Sequence, residues 1–327
     1  MITGRVNAVV TTGIYCRDGC PASPLPGNLR TYPLDAAAEA AGFRPCLRCR
    51  PEQRAQPASW DVPSLVADAL DRICAGALDV GTEAGLARSC GVSPRHLRRL
   101  FAEHVGATPT QIAIARRAHF ARRLIDETDL PVAQLAYAAG FGSVRSMNET
   151  MRRIFGFTPS DLRVRRSQPR REIADGGLSL TVPLPSHAEP AFLHPAAALL
   201  IDGVEALESG TYLRTIVLAG NPGVIRLSLV EPALIAVEAH LPRFDRLIDL
   251  VVEVRRFFCP ARSEVAWTPA EERAKRRLRE ELGLEGARQH VASVARRHGR
   301  TLAVPLLGLT MLSPDDDDWC SAASRGR

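Results

Sequence analysis

The stretches TTGIYCRDGC, residues 11–20, and FRPCLRCRPE, residues 43–52, each contain a pair of cysteines. The spacing is Cys-x3-Cys, a gap of twenty-five residues and Cys-x2-Cys, which gives the quartet Cys16, Cys20, Cys46 and Cys49. Two short loops that each present two sulfurs are typical of tetrahedral zinc sites. A chain of about 50 residues can hardly supply a core by itself, and a bound metal replaces it. The quartet therefore predicts a small α+β zinc domain over residues 1–53 with Zn²⁺ as its cofactor.

The spacing leaves the role of the metal open. Closed four-sulfur sites are normally inert, which favours a purely structural zinc. Two features favour a reactive site instead. A zinc-bound thiol is already deprotonated, so it can act as a nucleophile at neutral pH without a general base. In addition, arginines beside the cysteines could hold a phosphate against the cluster; the expected phosphate contacts are Arg17, Arg44 and Arg48.

Charge is distributed unevenly along the 327 residues. The net charge of +6 divides into +3 over residues 1–57, +5 over 58–172, −4 over 173–258 and +2 over 259–327. Only Lys275 is a lysine, so nearly all of the positive charge is guanidinium, which can bind phosphate bidentately. The pattern predicts a nucleic-acid partner for the N-terminal half and not for residues 173–258.

The composition and the N-terminus exclude several classes of protein. An apolar fraction of 46% and a charged fraction of 24% are those of a folded globular chain, long enough for several domains. No signal-like segment opens the sequence, and no apolar run approaches the roughly 18 residues of a membrane span. We therefore expect a cytoplasmic protein with no membrane partner, where clustered cysteines favour a metal over disulfides.

An internal repeat marks the middle of the chain. Residues 87–109, ARSCGVSPRHLRRLFAEHVGATP, are echoed by residues 136–159, AYAAGFGSVRSMNETMRRIFGFTP. Apolar residues recur at helical spacing between two predicted linkers at 51–59 and 167–177, which predicts an all-α domain over residues 60–165. Ser93 followed by Pro94 indicates the start of a helix whose first turns meet DNA. The predicted DNA contacts are Arg95, His96, Arg99, Arg145, Ser146, Asn148 and Arg152.

The C-terminal half has a different sequence pattern. The runs LSLTVPL, YLRTIVLAG, GVIRLSLV and LIAVEAHL predict strands, and the segment that begins FDRLIDLVVEVRRFF predicts a helix, so residues 177–258 form a second α+β domain. Residues 259–327 contain a helix-prone charged stretch and the run DDDD at 315–318, which is expected to be solvated. No core can be placed in this tail from its sequence.

Two parts of the N-terminal half resemble known families. The cysteine segments resemble the two signature segments of the N-terminal domain of the adaptive-response protein Ada, over about residues 6–53. Only ten residues precede TTG, fewer than in that family, so either the start is misassigned or the domain is trimmed. Residues 62–163 resemble the AraC-type DNA-binding domain, in which two helix-turn-helix units are joined by a long helix, here about 110–127.

These resemblances imply a function. In the Ada family the first cysteine, here Cys16, accepts a methyl group from an Sp methylphosphotriester in double-stranded DNA, and the other three remain zinc ligands. The resemblance implies an irreversible methyltransferase that also binds promoter sites and activates alkylation-damage genes, with RNA polymerase as a further partner. No Pro-Cys-His-Arg motif of the O6-alkylguanine methyltransferases occurs, which leaves Cys16 as the expected acceptor.

The third segment resembles another repair family. Residues 177–258 are similar to the N-terminal domain of AlkA-type 3-methyladenine DNA glycosylases, and the resemblance ends after Phe258. The helix-hairpin-helix and the catalytic aspartate of that family are not found in residues 259–327. Two alternatives remain open: an AraC-type regulator with a purely structural zinc, and a base-excision glycosylase with a degraded catalytic domain.

Overall fold

The computed structural model describes residues 5–22, 26–53, 60–166, 177–184, 200, 204–231 and 234–258, and near the C-terminus 275–276, 278–283, 285–287 and 289. The chain divides into two compact units. The first comprises residues 1–170 with 245–252, and the second comprises residues 171–244 with 253–327. No helix among these described residues is long and apolar enough to cross a membrane.

The N-terminal segment is a small sheet with one short helix. Its elements are β1 (Val6–Val9), β2 (Ile14–Cys16), β3 (Leu29–Tyr32), α1 (Asp35–Ala40) and β4 (Arg44–Pro45), with 3₁₀ turns at Pro26–Asn28 and Pro51–Gln53. The strand order is β3-β1-β2-β4, and only the β2–β4 pair is parallel. Because successive side chains of a strand point to opposite faces, Tyr15 packs under α1 while Cys16 faces the other cysteines. This agrees with the predicted α+β zinc domain.

The helical segment contains two helix-turn-helix units. The first unit is α4 (Glu83–Ser89) with α5 (Pro94–His104), and the second is α7 (Val132–Ala138) with α8 (Val144–Phe155). A helix of 19 residues, α6 (Pro109–Glu127), joins them, as the predicted span 110–127 requires. The remaining helices are α2 (Ser64–Cys74), α3 (Ala77–Val80) and α9 (Pro159–Val164).

The repeated motif Gly-x-Thr-Pro has a structural reason. Gly106 and Gly156 both have φ of +79°, a left-handed conformation that ends a helix and that glycine adopts without strain. Thr108 and Thr158 then cap the next helix, each in a capping box with the third helical residue, and a proline follows at the first helical position. Each copy of the repeat therefore encodes a helix stop followed at once by a helix start.

The zinc segment and the first helix-turn-helix unit share one hydrophobic core. Leu34 and Ala36, at the start of α1, pack in the same cluster as Leu97 and Phe101 of α5. The predicted linker 51–59 differs from the structure at its first three residues, because Pro51–Gln53 form a 3₁₀ turn with Pro51 buried. Residues 54–59, and residues 167–176 of the second predicted linker, lie outside the described part of the chain.

The third segment is a five-stranded antiparallel sheet followed by a helix. The strands are β5 (Leu178–Pro183), β6 (Glu205–Glu208), β7 (Thr211–Leu218), β8 (Asn221–Glu231) and β9 (Leu234–His240), in the order β5-β9-β8-β7-β6, and the helix is α10 (Leu247–Phe257). Four of these strands and the helix coincide with the predicted ones. Strand β6 was not predicted, because Glu-Ala-Leu-Glu has little intrinsic β propensity.

Part of the tail does contribute to a core. The Nζ atom of Lys275 is buried 2.6 Å from Oε2 of Glu205, and Leu278 and Ala287 are also buried. The sequence alone did not place a core in residues 259–327, because buried ion pairing is not visible as hydrophobic periodicity. The acidic run 315–318 lies outside the described residues.

Candidate metal centre and nucleic-acid interface

Two loops bring the four cysteines together. Parallel pairing of β2 with β4 sets Tyr15 beside Pro45, and the Cys46 N–H donates to the Tyr15 carbonyl at 2.9 Å. Cys16 and Cys46 therefore lie side by side at the carboxyl ends of two parallel strands. The loop after each strand carries the second cysteine of each pair, Cys20 and Cys49. The four Sγ atoms all lie within 4.8 Å of one another. Sulfurs at about 2.3 Å from one tetrahedral zinc are about 3.8 Å apart, so the quartet fits zinc and the predicted cofactor is confirmed.

The close packing of the cysteines shifts the pKa values of their thiols. Burial raises the pKa of the Cys16 thiol, and the neighbouring Cys46 sulfur raises it further. Burial likewise raises the pKa of Cys49 to about 11. For Cys46 the effect of burial is outweighed by backbone N–H groups of Cys49 and Arg48 that donate to its sulfur, and the pKa is lowered. Without a metal, Cys16 and Cys49 would thus be held as neutral thiols at neutral pH, and a divalent cation bound by the quartet would supply the positive charge that keeps them as thiolates.

The accessibility of the four cysteines differs. Cys16 is only 4% exposed, and Cys46 and Cys49 are also buried, whereas Cys20 is half-buried. Of the predicted phosphate contacts, Arg17 and Arg48 are exposed on the two cysteine loops. Arg44 is half-buried, and its Cδ lies 3.9 Å from where a Cβ at Gly156 would stand. Two of the three predicted arginines therefore lie on the surface next to the cluster.

The predicted DNA contacts lie on the second helix of each helix-turn-helix unit. Ser93 caps α5 by accepting from the His96 N–H at 3.2 Å, and Ser143 caps α8 in the same way. Most of the predicted contacts are exposed: Arg95, Arg99, Arg145, Ser146 and Arg152. His96 and Asn148 are half-buried. Arg145 bonds to Glu149 at 2.9 Å across one turn of α8, a pairing between exposed side chains that DNA can displace at little cost.

Sequence reasoning missed the polar residues that support the zinc loops. The Tyr15 hydroxyl donates to Oε1 of Glu39 at 2.8 Å, and the Nε2 atom of His119 lies 2.6 Å from the same oxygen. Arg50, directly after Cys49, pairs with Asp126 at 2.5 Å. Only the positions of Tyr15 and Arg50, each adjacent to a ligand, were a signal in the sequence. Their partners depend on how α6 packs.

Comparison with known proteins agrees with this architecture. Residues 5–52 match the family model described as the metal binding domain of Ada, and residues 86–165 match a helix-turn-helix domain. The "probable bifunctional transcriptional activator/DNA repair enzyme AlkA" of Mycobacterium tuberculosis is 41% identical over 230 residues, which is 68% of this chain and 46% of that protein. The "bifunctional transcriptional activator/DNA repair enzyme Ada" of Escherichia coli is 34% identical over 48% of this chain and 44% of its own length.

The match covers a larger share of a third relative. The "bifunctional transcriptional activator/DNA repair enzyme AdaA" of Bacillus subtilis is 29% identical over 157 residues, 48% of this chain and 72% of that protein. The fold and site thus define a protein with a zinc-binding domain and an AraC-type helix-turn-helix domain. The chain is homologous to the Ada and AlkA bifunctional DNA repair activators. It spans less than half the length of the M. tuberculosis and E. coli relatives.

Proposed function

We propose that this protein repairs methylphosphotriesters in double-stranded DNA by transferring the methyl group irreversibly to Cys16, and that it thereby becomes an activator of alkylation-damage genes in the cytoplasm. The gathering of four cysteine sulfurs within 4.8 Å of one another, next to exposed arginines, carries the proposal. The relatives named as both transcriptional activators and DNA repair enzymes support it.

The chemistry at Cys16 follows from its ionisation. A zinc ion held by Cys16, Cys20, Cys46 and Cys49 would keep the Cys16 thiol in its nucleophilic thiolate form. The Cys16 sulfur attacks the methyl carbon, an S–C bond forms, the C–O bond breaks, and the repaired phosphodiester leaves as an anion. Arg17 and Arg48 are positioned on the loops to hold the phosphate and to stabilise the leaving oxygen. The thioether product has no route back to a thiol, so each chain reacts once.

Methylation changes the charge that DNA meets. Four thiolates with one divalent cation carry two net negative charges, and a thioether at Cys16 leaves one. Phosphate is repelled less by the methylated site, and a charge pair at short range contributes about 1–4 kcal/mol in a surface environment. An increase of about tenfold or more in DNA affinity is therefore available to switch on promoter binding.

The helical segment is assigned the recognition of the promoter DNA sequence. We propose that residues 1–53 receive the methyl group and that residues 60–165 bind the promoter, with α5 and α8 in neighbouring major grooves and RNA polymerase as the partner in activation. Arg95→Ala and Arg145→Ala are expected to weaken promoter binding and to lower its salt dependence. Arg72→Ala, which removes an exposed ion pair with Asp68 on α2, is the matched control and should leave binding unchanged.

The experiment that tests the proposed function is a titration of methyl uptake. Zinc-loaded protein is incubated with duplex DNA that carries a radiolabelled methylphosphotriester, and the label on the protein is counted against time and protein amount. We expect one methyl group per chain without turnover. No uptake by a protein that retains zinc and binds a promoter would instead identify a regulator whose zinc is structural.

The third segment supports a second, separate proposal. The M. tuberculosis match is longer than residues 1–176, so it extends into the region predicted to resemble the AlkA N-terminal domain. We propose that residues 177–258 are an AlkA N-terminal-like scaffold that is not itself catalytic, because the helix-hairpin-helix and the catalytic aspartate that a glycosylase of this family needs are not found in the sequence of residues 259–327. Catalytic release of free 3-methyladenine from methylated DNA would contradict this.

A further inference from the structure

We propose that His119, on the long helix α6, is a positioning residue for Cys16, and that it acts through Glu39 and Tyr15. The inference rests on the proposed function of Cys16 as the methyl acceptor. It assigns to the helix-turn-helix segment a part in the transfer step itself, besides DNA binding.

Tyr15 connects the methyl acceptor to the buried core. This residue directly precedes Cys16 on β2, its side chain is fully buried, and its carbonyl accepts the Cys46 N–H that joins the two cysteine loops. Because side chains alternate across the strand, Tyr15 lies on the face opposite Cys16. Any force that fixes the Tyr15 side chain therefore also fixes the strand from which the Cys16 sulfur projects.

The buried carboxylate of Glu39 links Tyr15 to His119. One of its oxygens, Oε1, accepts both from the Tyr15 hydroxyl at 2.8 Å and from Nε2 of His119 at 2.6 Å. Its other oxygen, Oε2, is buried without a hydrogen-bond partner among the described residues. The Glu39 side chain is only 4% exposed, so its charge depends on the imidazolium of His119 for compensation.

The His119 ring is held in a fixed orientation by its neighbours. The Nδ1 atom faces Oδ2 of Asp35 at 3.4 Å, while Nε2 faces Glu39, so both ring nitrogens point at carboxylates of α1. The ring also stacks edge-on against Phe155 of α8, with centroids 6.1 Å apart. A protonated imidazole held on three sides has little freedom to rotate, and it transmits the position of α6 to α1 and to β2.

A second attachment lies at the other cysteine loop. Arg50 follows Cys49, and its guanidinium pairs at 2.5 Å with Asp126, one residue before the end of α6. Asp126 is buried and also binds Arg122 of the same helix at 3.0 Å. The residue before the first ligand and the residue after the last ligand are therefore both tied to α6. The zinc loops are held by the helix that joins the two helix-turn-helix units.

The test compares His119→Gln, Glu39→Gln, the double variant and Tyr15→Phe with the wild-type full chain, with Arg72→Gln as the matched control. The first measurement is single-turnover methyl transfer over a range of DNA concentrations. We expect the maximal rate constant to fall about tenfold in each single variant. The DNA concentration for half-maximal rate should not change, because all three side chains are largely buried. The double variant should lose little more than either single variant.

The second measurement does not depend on transfer. Amide hydrogen exchange of zinc-loaded protein should become faster at Tyr15 and Cys16 in the variants, while zinc stoichiometry and exchange in α5 stay as in the wild type. Wild-type rates and exchange in the variants would overturn the inference, and so would zinc loss or loosening that includes α5. If the wild type transfers no methyl group, the proposed function fails, and hydrogen exchange alone decides whether His119 holds the strand.

Discussion

The Nε2 atom of His119 lies 2.6 Å from Oε1 of Glu39, although the two residues are 80 positions apart, in segments that the sequence assigns to different domains. A carboxylate as buried as that of Glu39 is costly unless it is paired, so the zinc segment and the helical segment stabilise each other. The shared apolar cluster that contains Leu34 and Phe101 has the same effect. The stability of each segment therefore depends in part on the other.

The first prediction is a pH dependence of this mutual stabilisation. Burial lowers the pKa of His119, but the carboxylates of Glu39 and Asp35 outweigh burial and raise it to about 10. Free histidine titrates near pH 6.5, so the pair stabilises the fold fully below about pH 6.5, and this contribution is lost as the pH rises through about 10. The free energy of unfolding, from urea denaturation followed by circular dichroism, should fall between about pH 7 and 10. In His119→Gln it should fall less, and parallel curves would contradict the assignment.

The second prediction concerns the methyl acceptor. Cys16→Ser should leave a folded protein with weaker zinc binding and no methyl uptake, because a serine hydroxyl is a poor ligand and a weak nucleophile. Uptake is measured with labelled methylphosphotriester DNA, and zinc is measured by elemental analysis. Cys90→Ser, at a half-buried thiol of the helical segment, is the control and should take up one methyl group. Stoichiometric uptake by Cys16→Ser would remove Cys16 from its assigned role.

The third prediction concerns the remaining ligands. Cys46→Ser or Cys49→Ser should lose zinc and unfold residues 5–53, because structural zinc supplies the folding energy of such modules. Since α1 shares its core with α5, the helical unit should also melt at a lower temperature. Thermal unfolding by circular dichroism and zinc content are the measurements. Full zinc content with an unchanged melting temperature in either variant would show that the replaced cysteine is not a structural ligand.

The fourth prediction concerns the helix N-caps in the Gly-x-Thr-Pro repeat. Thr108→Ala and Thr158→Ala should each lower the free energy of unfolding by about 1 kcal/mol, because each removes the N-cap of a helix. Thr108→Ser and Thr158→Ser keep the capping oxygen and should lose much less. The two caps belong to different helices, so the double alanine variant should lose the sum of the single losses. Equal stability of the alanine and serine variants would contradict the capping role.

Much of the fold and of the metal centre could be predicted, because each feature is local in the sequence. The spacing of Cys16, Cys20, Cys46 and Cys49 reflects the geometry of two short loops around one cation. The Gly-x-Thr-Pro repeat marks where one helix ends and the next begins, so the starts of α6 and α9 follow from it. Alternation in β7, β8 and β9 likewise needs only neighbouring residues.

The missed features depend on residues far apart in the chain. Glu39 and His119 are ordinary polar residues of two helices, and only the packing of α1 on α6 pairs them. Lys275 reads as one charge in a solvated helix, yet it is buried against Glu205 across 70 positions. Long-range pairs of this kind have no signature in local periodicity or spacing.

Cys16 is the proposed methyl acceptor, and peptide mass spectrometry shows which cysteine carries the transferred methyl group. Zinc-loaded protein is reacted with methylphosphotriester duplex DNA, digested, and the mass gain of one methyl group is located by fragmentation. Because Cys16 is 4% exposed while Cys20 is half-buried, the two thiols of TTGIYCRDGC must be distinguished. We expect methylation at Cys16 alone. Methyl on Cys20 or another cysteine, or none on a zinc-loaded chain, would contradict it.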